Sequence, residues 1–572
     1  MRLFVIVHLL ASARSMYQKR TIGASYENAP KEKKLRENVS SLFCQNDVSG
    51  QRAATLFTDA YHADRRHVED LKDIVSNNNT ARSLLRKLSK NNRRGWPPLY
   101  MARIRVYDRK TQKIVRAWCP MLLPHELFFE MQRRSRVAAL TTTAGMAADT
   151  KTHWQSCADQ LPLPCVGCGI WCDGVPCNWD RSQSLECCSL YFPGFEGSFA
   201  NLRLPLFVLP KRFLAKESSY EDAFAVLKWS FDHCGSGTFP SHRHDGTPWT
   251  NTDSYRKKHS GSLKICAVLC EMRGDWQMYS TLFRLGGWNK KKHCCWKCNV
   301  DKQNLANFGL DAAWRNQRIS YMDFLVRLHQ TGLSPSCLFN VPFFHIRIFK
   351  VDWLHTMDLG VASDWLGNLF SFVLPKLPGA TADAKCSELF LRIQNYYSTH
   401  DDIPAKYDNM KLTMFRQGKK GYKLRGKASE VRGLINFAKL LADDVLSAAD
   451  PVEATVLHGT SLLKQCYDHL SGAVPLGTLA TSCRQFCILF KAMEDLNLGP
   501  KCWKVKPKAH LLCELCEFTA DRPSATWCYR DEEFGGTLAN LSRVRGGAVT
   551  PLAVGRNVLL KYMTFNRLPW LL

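Results

Sequence analysis

The chain has 572 residues, 45% of them hydrophobic and 23% charged, a globular composition that excludes a disordered or fibrous protein. Lysine and arginine number 78 against 51 acidic residues, a formal net charge of +27 spread along the chain, which favours a polyanionic partner, nucleic acid first. The 24 cysteines lack the regular spacing of a small secreted disulfide module and read as reduced, mostly buried residues. No internal run is long and apolar enough to span a membrane.

The opening "MRLFVIVHLLASARS" has Arg2, an apolar stretch and small residues at 11–13, the outline of a secretory signal. Nothing after it looks secreted, so it is read as a spurious hydrophobic start. Residues 1–95 are polar, with a helix expected over 58–90 on Leu71, Ile74, Leu84, Leu85 and Leu88. Residues 96–152 carry a hairpin turning at Asp108-Arg109-Lys110, then a small, polar stretch at 138–152 that suggests a linker. From 153 to 300 the pattern is stranded: "VGCGIWCD", "LECCSLYF", "LRLPLFVL" and "SLKICAVLCEMRGD". From 301 to 510 it is mainly helical, clearest in "ASEVRGLINFAKLLADDVLS", where Val431, Leu434, Ile435, Ala438 and Leu441 keep helical spacing. Residues 511–572 close with a turn into a helix at "WCYRDEEFGGTL".

Three acidic positions stand out. Asp173 and Asp275 each end a strand, and Glu532 or Glu533 begins a late helix. Strand-end carboxylates that converge with one from a helix can hold two divalent cations about 3.5–4 Å apart, the arrangement for phosphoryl transfer. Oxygen ligands suit Mg²⁺ or Mn²⁺. Most strand-end aspartates are only caps or turn formers.

Five blocks in order give these residues a context: "WCDGVPCN", "MRGDWQMYSTLFRLGGWNKKKHCCWKC", "VDWLHTMDLGVASDWLGNLF", "KPKAHLLCE" and "WCYRDEEFGGTL". Over roughly residues 165–560 the chain resembles the DDE transposases of eukaryotic cut-and-paste DNA elements, the group that includes the hAT, CACTA and KDZ types. The resemblance implies an α/β, RNase H-like mixed sheet flanked by helices and interrupted by a large, mainly helical insertion, with a core strand returning near 345–355. It implies Asp173, Asp275 and Glu532 as catalytic Mg²⁺ ligands, with Glu533 the alternative. It implies DNA as substrate, a nuclear location and a possible homo-oligomer. The alternative is a catalytically inactive, transposon-derived DNA-binding or scaffold protein. The separate N-terminal DNA-binding module common in such enzymes is not read in residues 1–95.

Further motifs compete. Cys295-x-x-Cys298 is half of a zinc site, and Asp352-x-x-His355 is expected to supply the other half. Cys165, Cys168, Cys172 and Cys177 are read as packing residues, because a strand splays alternate side chains apart. His242, His244 and Asp245 are read as a loop. Lys501, Lys504, Lys506 and Lys508, interleaved with Trp503, are read as a DNA contact.

Overall fold

The computed structural model describes residues 33–568, except positions 66, 73, 75–79, 93–94, 135–136, 179, 198–200, 260, 417–420, 472–475, 500–501, 519–522, 544–549 and 567. The signal-like opening and Lys501 lie outside the described residues.

Helices α1 (Lys34–Cys44), α2 (Gly50–His62) and α3 (Thr80–Asn92) come first. The single helix expected over 58–90 is thus two, with Asp64 and His67 at positive φ between them. Strands β1 (Tyr100–Asp108) and β2 (Lys113–Met121) form the expected hairpin, paired from Tyr100↔Met121 to Asp108↔Lys113. Helices α4 (Pro124–Gln132) and α5 (Ala148–Ala158) follow. The stretch expected as a linker is packed: the Gly145 N–H donates to the Gly194 carbonyl, and the buried Thr150 hydroxyl donates to Glu271.

The central sheet is built from β3 (Cys165–Pro176), β4 (Ser184–Tyr191), β5 (Arg203–Pro210) and β6 (Cys266–Arg273), in the order β5-β4-β3-β6. β5, β4 and β3 are antiparallel, and β6 runs parallel to β3, so the sheet is mixed. Its strands are buried at almost every position, which accounts for their continuous apolar sequences. At 345–355 there is no strand; a single parallel bridge joins Phe349 to Met272, and the Lys350 N–H donates to the Met272 carbonyl. That bridge adds one rung of pairing on the outer side of β6, the edge strand.

Helix α6 (Glu217–Ser236) packs on β6, and α7 (Trp276–Leu282) starts just beyond it. A helical region follows α8 (Tyr321–Gln330): a π-helical segment, Leu354–Ala362, runs into α9 (Ser363–Val373), then come α10 (Ala382–Ser398), α11 (Ile435–Val445), α12 (Pro451–Ser471) and α13 (Leu479–Asp495). Val431, Leu434, Ile435, Ala438 and Leu441 are all buried, as their spacing requires. Helix α14 (Lys508–Phe518) leads back to the sheet, α15 (Tyr529–Ser542) lies on β3, and α16 (Pro551–Phe565) packs against α15, β2, β5, α1 and α3. One hydrophobic cluster runs from Val39 to Leu568, so the N-terminal helices and the hairpin share the core of the sheet. Among the described residues no helix is long and apolar enough to cross a membrane.

Candidate active site and metal centre

Asp173 sits within β3, opposite Cys187, and the strand continues to Pro176. It is therefore not a strand-end residue; its side chain is half-buried and faces α15. Asp275 lies two residues beyond β6 as the N-cap of α7, its Oδ1 accepting from the Met278 N–H at 2.6 Å. The two aspartates are brought close by their preceding residues: a Cβ on Gly274 would stand 2.9 Å from the Cys172 carbonyl oxygen. Glu532, in the first turn of α15, completes the approach. Ligand atoms of Asp173, Glu532 and His355 all lie within 4.8 Å of one another. Asp275 is outside that tight group, but its charge reaches Asp173. Glu533 is exposed one step around the helix, so of the two glutamates it is Glu532 that stands beside Asp173. The neighbouring Asp531 is buried, paired with Arg203 at 2.5 Å and Arg273 at 3.6 Å, and holds α15 to β5 and β6.

Burial pushes the Asp173 carboxyl well above the usual carboxylate range, and the charges of Glu532 and Asp275 push it further. Burial also raises Glu532, with His355 opposing. Glu532 Oε1 is buried without a hydrogen-bond partner. A group of carboxylates that repel one another around an unsatisfied oxygen fits a divalent cation.

His355, expected at a zinc site with the cysteines, instead joins the carboxylates. Its Nδ1 is 2.7 Å from Asp352 Oδ2, and its Nε2 is 3.6 Å from Glu532 Oε1. Asp352 is saturated: it also accepts from the N–H groups of Leu354, His355 and Cys528. Cys528 immediately precedes α15, so one carboxylate fixes both the imidazole and the start of the helix that carries Glu532. Burial would lower His355, but the hydrogen bond and charge of Asp352, with Glu532 and Asp173, raise it to about 9.

The cysteine pair meets different partners. Cys295, Cys298, His510 and Glu514 are all buried, with ligand atoms within 4.8 Å of one another. Cys298 Sγ is 3.3 Å from His510 Nε2, and His510 Nε2 is 3.6 Å from Glu514 Oε1. The Lys297 N–H donates to Cys295 Sγ at 3.3 Å, and Arg318 grips Glu514 at 2.9 and 2.8 Å. Burial alone would raise the Cys295 thiol, but the hydrogen bond from Cys298 and the pull of His510 bring it down to about 5; Cys298 is pushed far up. The expected zinc set of Cys295, Cys298, Asp352 and His355 is thus divided between two clusters. The missed signal is "HLLCE": His510 and Glu514, four apart on α14, share one helix face.

The lysine run is not an exposed strip. Trp503 is buried against Trp365 and Phe490. Lys506 pairs with Asp364 at 2.5 Å, and Lys508 donates to the His355 carbonyl at 2.6 Å, its amine lowered to about 8 by burial. Of the described lysines in the run only Lys504 is exposed, 3.8 Å from Glu494. His242, His244 and Asp245 do form a loop, closed by the Asp245 carboxylate accepting from Thr247 and by Tyr100 bonding His244. All 24 cysteines are free, and only Cys177, Cys337 and Cys502 are not fully buried. No protein-family model matches the chain, and no curated protein matches it.

Proposed function

We propose that the protein is a DNA transposase, or a protein derived from one, that cuts phosphodiesters with divalent cations. The observation that carries this reading is the convergence of Asp173 and Glu532, 359 residues apart in sequence, with Asp275 beside them. The sheet supports it: antiparallel β5-β4-β3, parallel β6 and the bridge at Phe349 suit an RNase H-like core, and the helices between β6 and α15 suit its insertion.

In this reading Asp173, Asp275 and Glu532 hold Mg²⁺ or Mn²⁺. Cations bound there supply Lewis-acid activation of the attacking oxygen and neutralise the leaving one. The chain's own part is placement. β3 and α15 present Asp173 and Glu532 to one volume, and Asp275 borders it from the cap of α7. Asp352 holds the imidazole of His355 so that Nε2 faces Glu532, where it can hold a proton beside the reacting groups. Cys295, Cys298, His510 and Glu514 have the sulfur and imidazole donors of a structural zinc centre, and the N–H bond to Cys295 Sγ fits a thiolate there.

The test is cleavage of DNA carrying the sequences that flank the coding region, with Mg²⁺ or Mn²⁺, by the full chain and by Asp173→Asn. The expected result is metal-dependent strand cleavage by the first and none by the second. Binding without cleavage under either metal favours the alternative of an inactive DNA-binding or scaffold protein.

A further inference from the structure

The hairpin β1–β2 buries one face away from its turn and leaves much of the other exposed. Ala102, Ile104 and Val106 point into the core, as does Cys119 across the ladder. The opposite face carries the rungs Arg103↔Trp118, Arg105↔Arg116 and Tyr107↔Ile114. Trp118 is 46% exposed and Ile114 59%. The Arg103 guanidinium lies over the Trp118 ring at 5.6 Å, which holds the indole against the ribbon. Arg105 is committed inward, to Asp222 on α6 at 2.7 Å. Arg103 and Arg116 form no ion pair among the described residues, and neither do Arg109, Lys110 or Lys113 at the turn. The exposed indole and isoleucine share this face with the two arginines, a mixed apolar and cationic surface. A ribbon meant for a protein core would not line them with arginines that have no ion-pair partner; among the described residues Arg116 donates only to the Arg103 carbonyl, at 3.3 Å.

We propose that this face of the β1–β2 hairpin docks on double-stranded DNA, with Arg103 and Arg116 on phosphates and Trp118 against the sugar–base surface. The inference rests on the reading that the protein acts on DNA and adds the surface that holds it. A two-stranded ribbon fits the major groove, which is about 12 Å wide. The cations at the turn lead the ribbon in, and the aromatic and aliphatic rungs have somewhere to bury. In the lysine run around Trp503, Lys506 and Lys508 are tied to Asp364 and the His355 carbonyl, and Lys504 stands 3.8 Å from Glu494, so its described members offer a poorer surface.

The experiment is a binding titration of the full chain on a mixed-sequence duplex at several salt concentrations, comparing wild type, R103A/R116A and W118A. Melting curves check that all three fold, which exposed positions permit. The double variant should bind more weakly, and its salt slope should fall by about 2, since each phosphate left without its arginine removes about 0.9. W118A should bind more weakly with an unchanged slope. Wild-type affinity and slope in both variants would overturn the ribbon's role while leaving the DNA reading intact. A wild-type chain that binds no duplex would overturn both. A dimer that W118A dissociates, with DNA binding unaltered, would make the face an interface between copies and overturn the proposal.

Discussion

Gly274 lies so close to Cys172 that any side chain there would meet the Cys172 carbonyl oxygen, at 2.9 Å from the Cβ. The next residue on each segment is a site aspartate. The spacing of Asp173 and Asp275 is therefore set by backbone contact. Backbone cannot swing aside as the nearby Met278 side chain can. Gly274→Ala should lower stability by about 1–3 kcal/mol through overpacking and reduce metal-dependent cleavage with it. Gly536→Ala, on the same helix as Glu532 with open space around its Cβ, should instead gain about 0.5–1 kcal/mol. Urea melts of the two variants check both signs, and destabilisation by both would mean the close approach at Gly274 is not what matters.

Asp352 satisfies four donors from three places in the chain. Asp352→Asn keeps the shape but cannot accept at both positions. The His355 ring should lose its orientation and the Cys528 N–H its anchor. Positioning partners of this kind typically cost about 10–100-fold when removed, so cleavage should fall by about that much at saturating DNA. Each buried donor left unmet costs about 1–3 kcal/mol, and the melting temperature should drop as well. Full activity in Asp352→Asn would mean that His355 needs no support.

Much of this site is legible locally. Asp173 and Glu532 lie in short stretches whose strand and helix character is plain, and the apolar runs of β3 to β6 are unbroken. The companion of the Cys295-x-x-Cys298 pair is not. His510 stands 212 residues from Cys298, and spacing says nothing across a loop closure of that size. Asp352-x-x-His355 is nearer in sequence and has metal-ligand chemistry, so it draws the assignment. The fold sends it to the carboxylates because Asp352 must cap both its own segment and α15. The lysines before α14 mislead for a related reason: alternation with Trp503 looks like a surface pattern, but α9 supplies Asp364 and Asn368 to bury it.

The two cysteines, His510 and Glu514 should hold about one zinc per chain. Cys298→Ser and His510→Ala should each lose it and melt at lower temperature, as should wild type treated with chelator. Asp352→Asn and His355→Gln should keep it. Metal analysis of these four variants separates the two groupings of ligands directly. Zinc lost with His355 but kept without His510 would restore the grouping first expected from the sequence.

Asp358, in the π-helical segment three residues after His355, accepts from the Tyr467 hydroxyl at 2.5 Å and the Tyr529 hydroxyl at 2.8 Å. Tyr529 begins α15, so this carboxyl also tethers the helix of Glu532, now to α12. Burial raises Asp358 from 3.8 to about 7, against the pull of the two phenols and Arg432. The folded chain then holds a proton that the unfolded chain has released. The stabilisation is complete below about pH 4 and is lost as pH rises through about 7. At about 1.4 kcal/mol per unit the swing is on the order of 4 kcal/mol. Asp358→Asn cannot ionise and should lack that slope, although it gives up one of the two phenol bonds at a cost of about 1 kcal/mol. Denaturant melts across this range should therefore show wild type losing ground steadily to the variant as pH rises. Parallel curves would mean that Asp358 is ionised in the fold throughout, its charge carried by the tyrosines and Arg432.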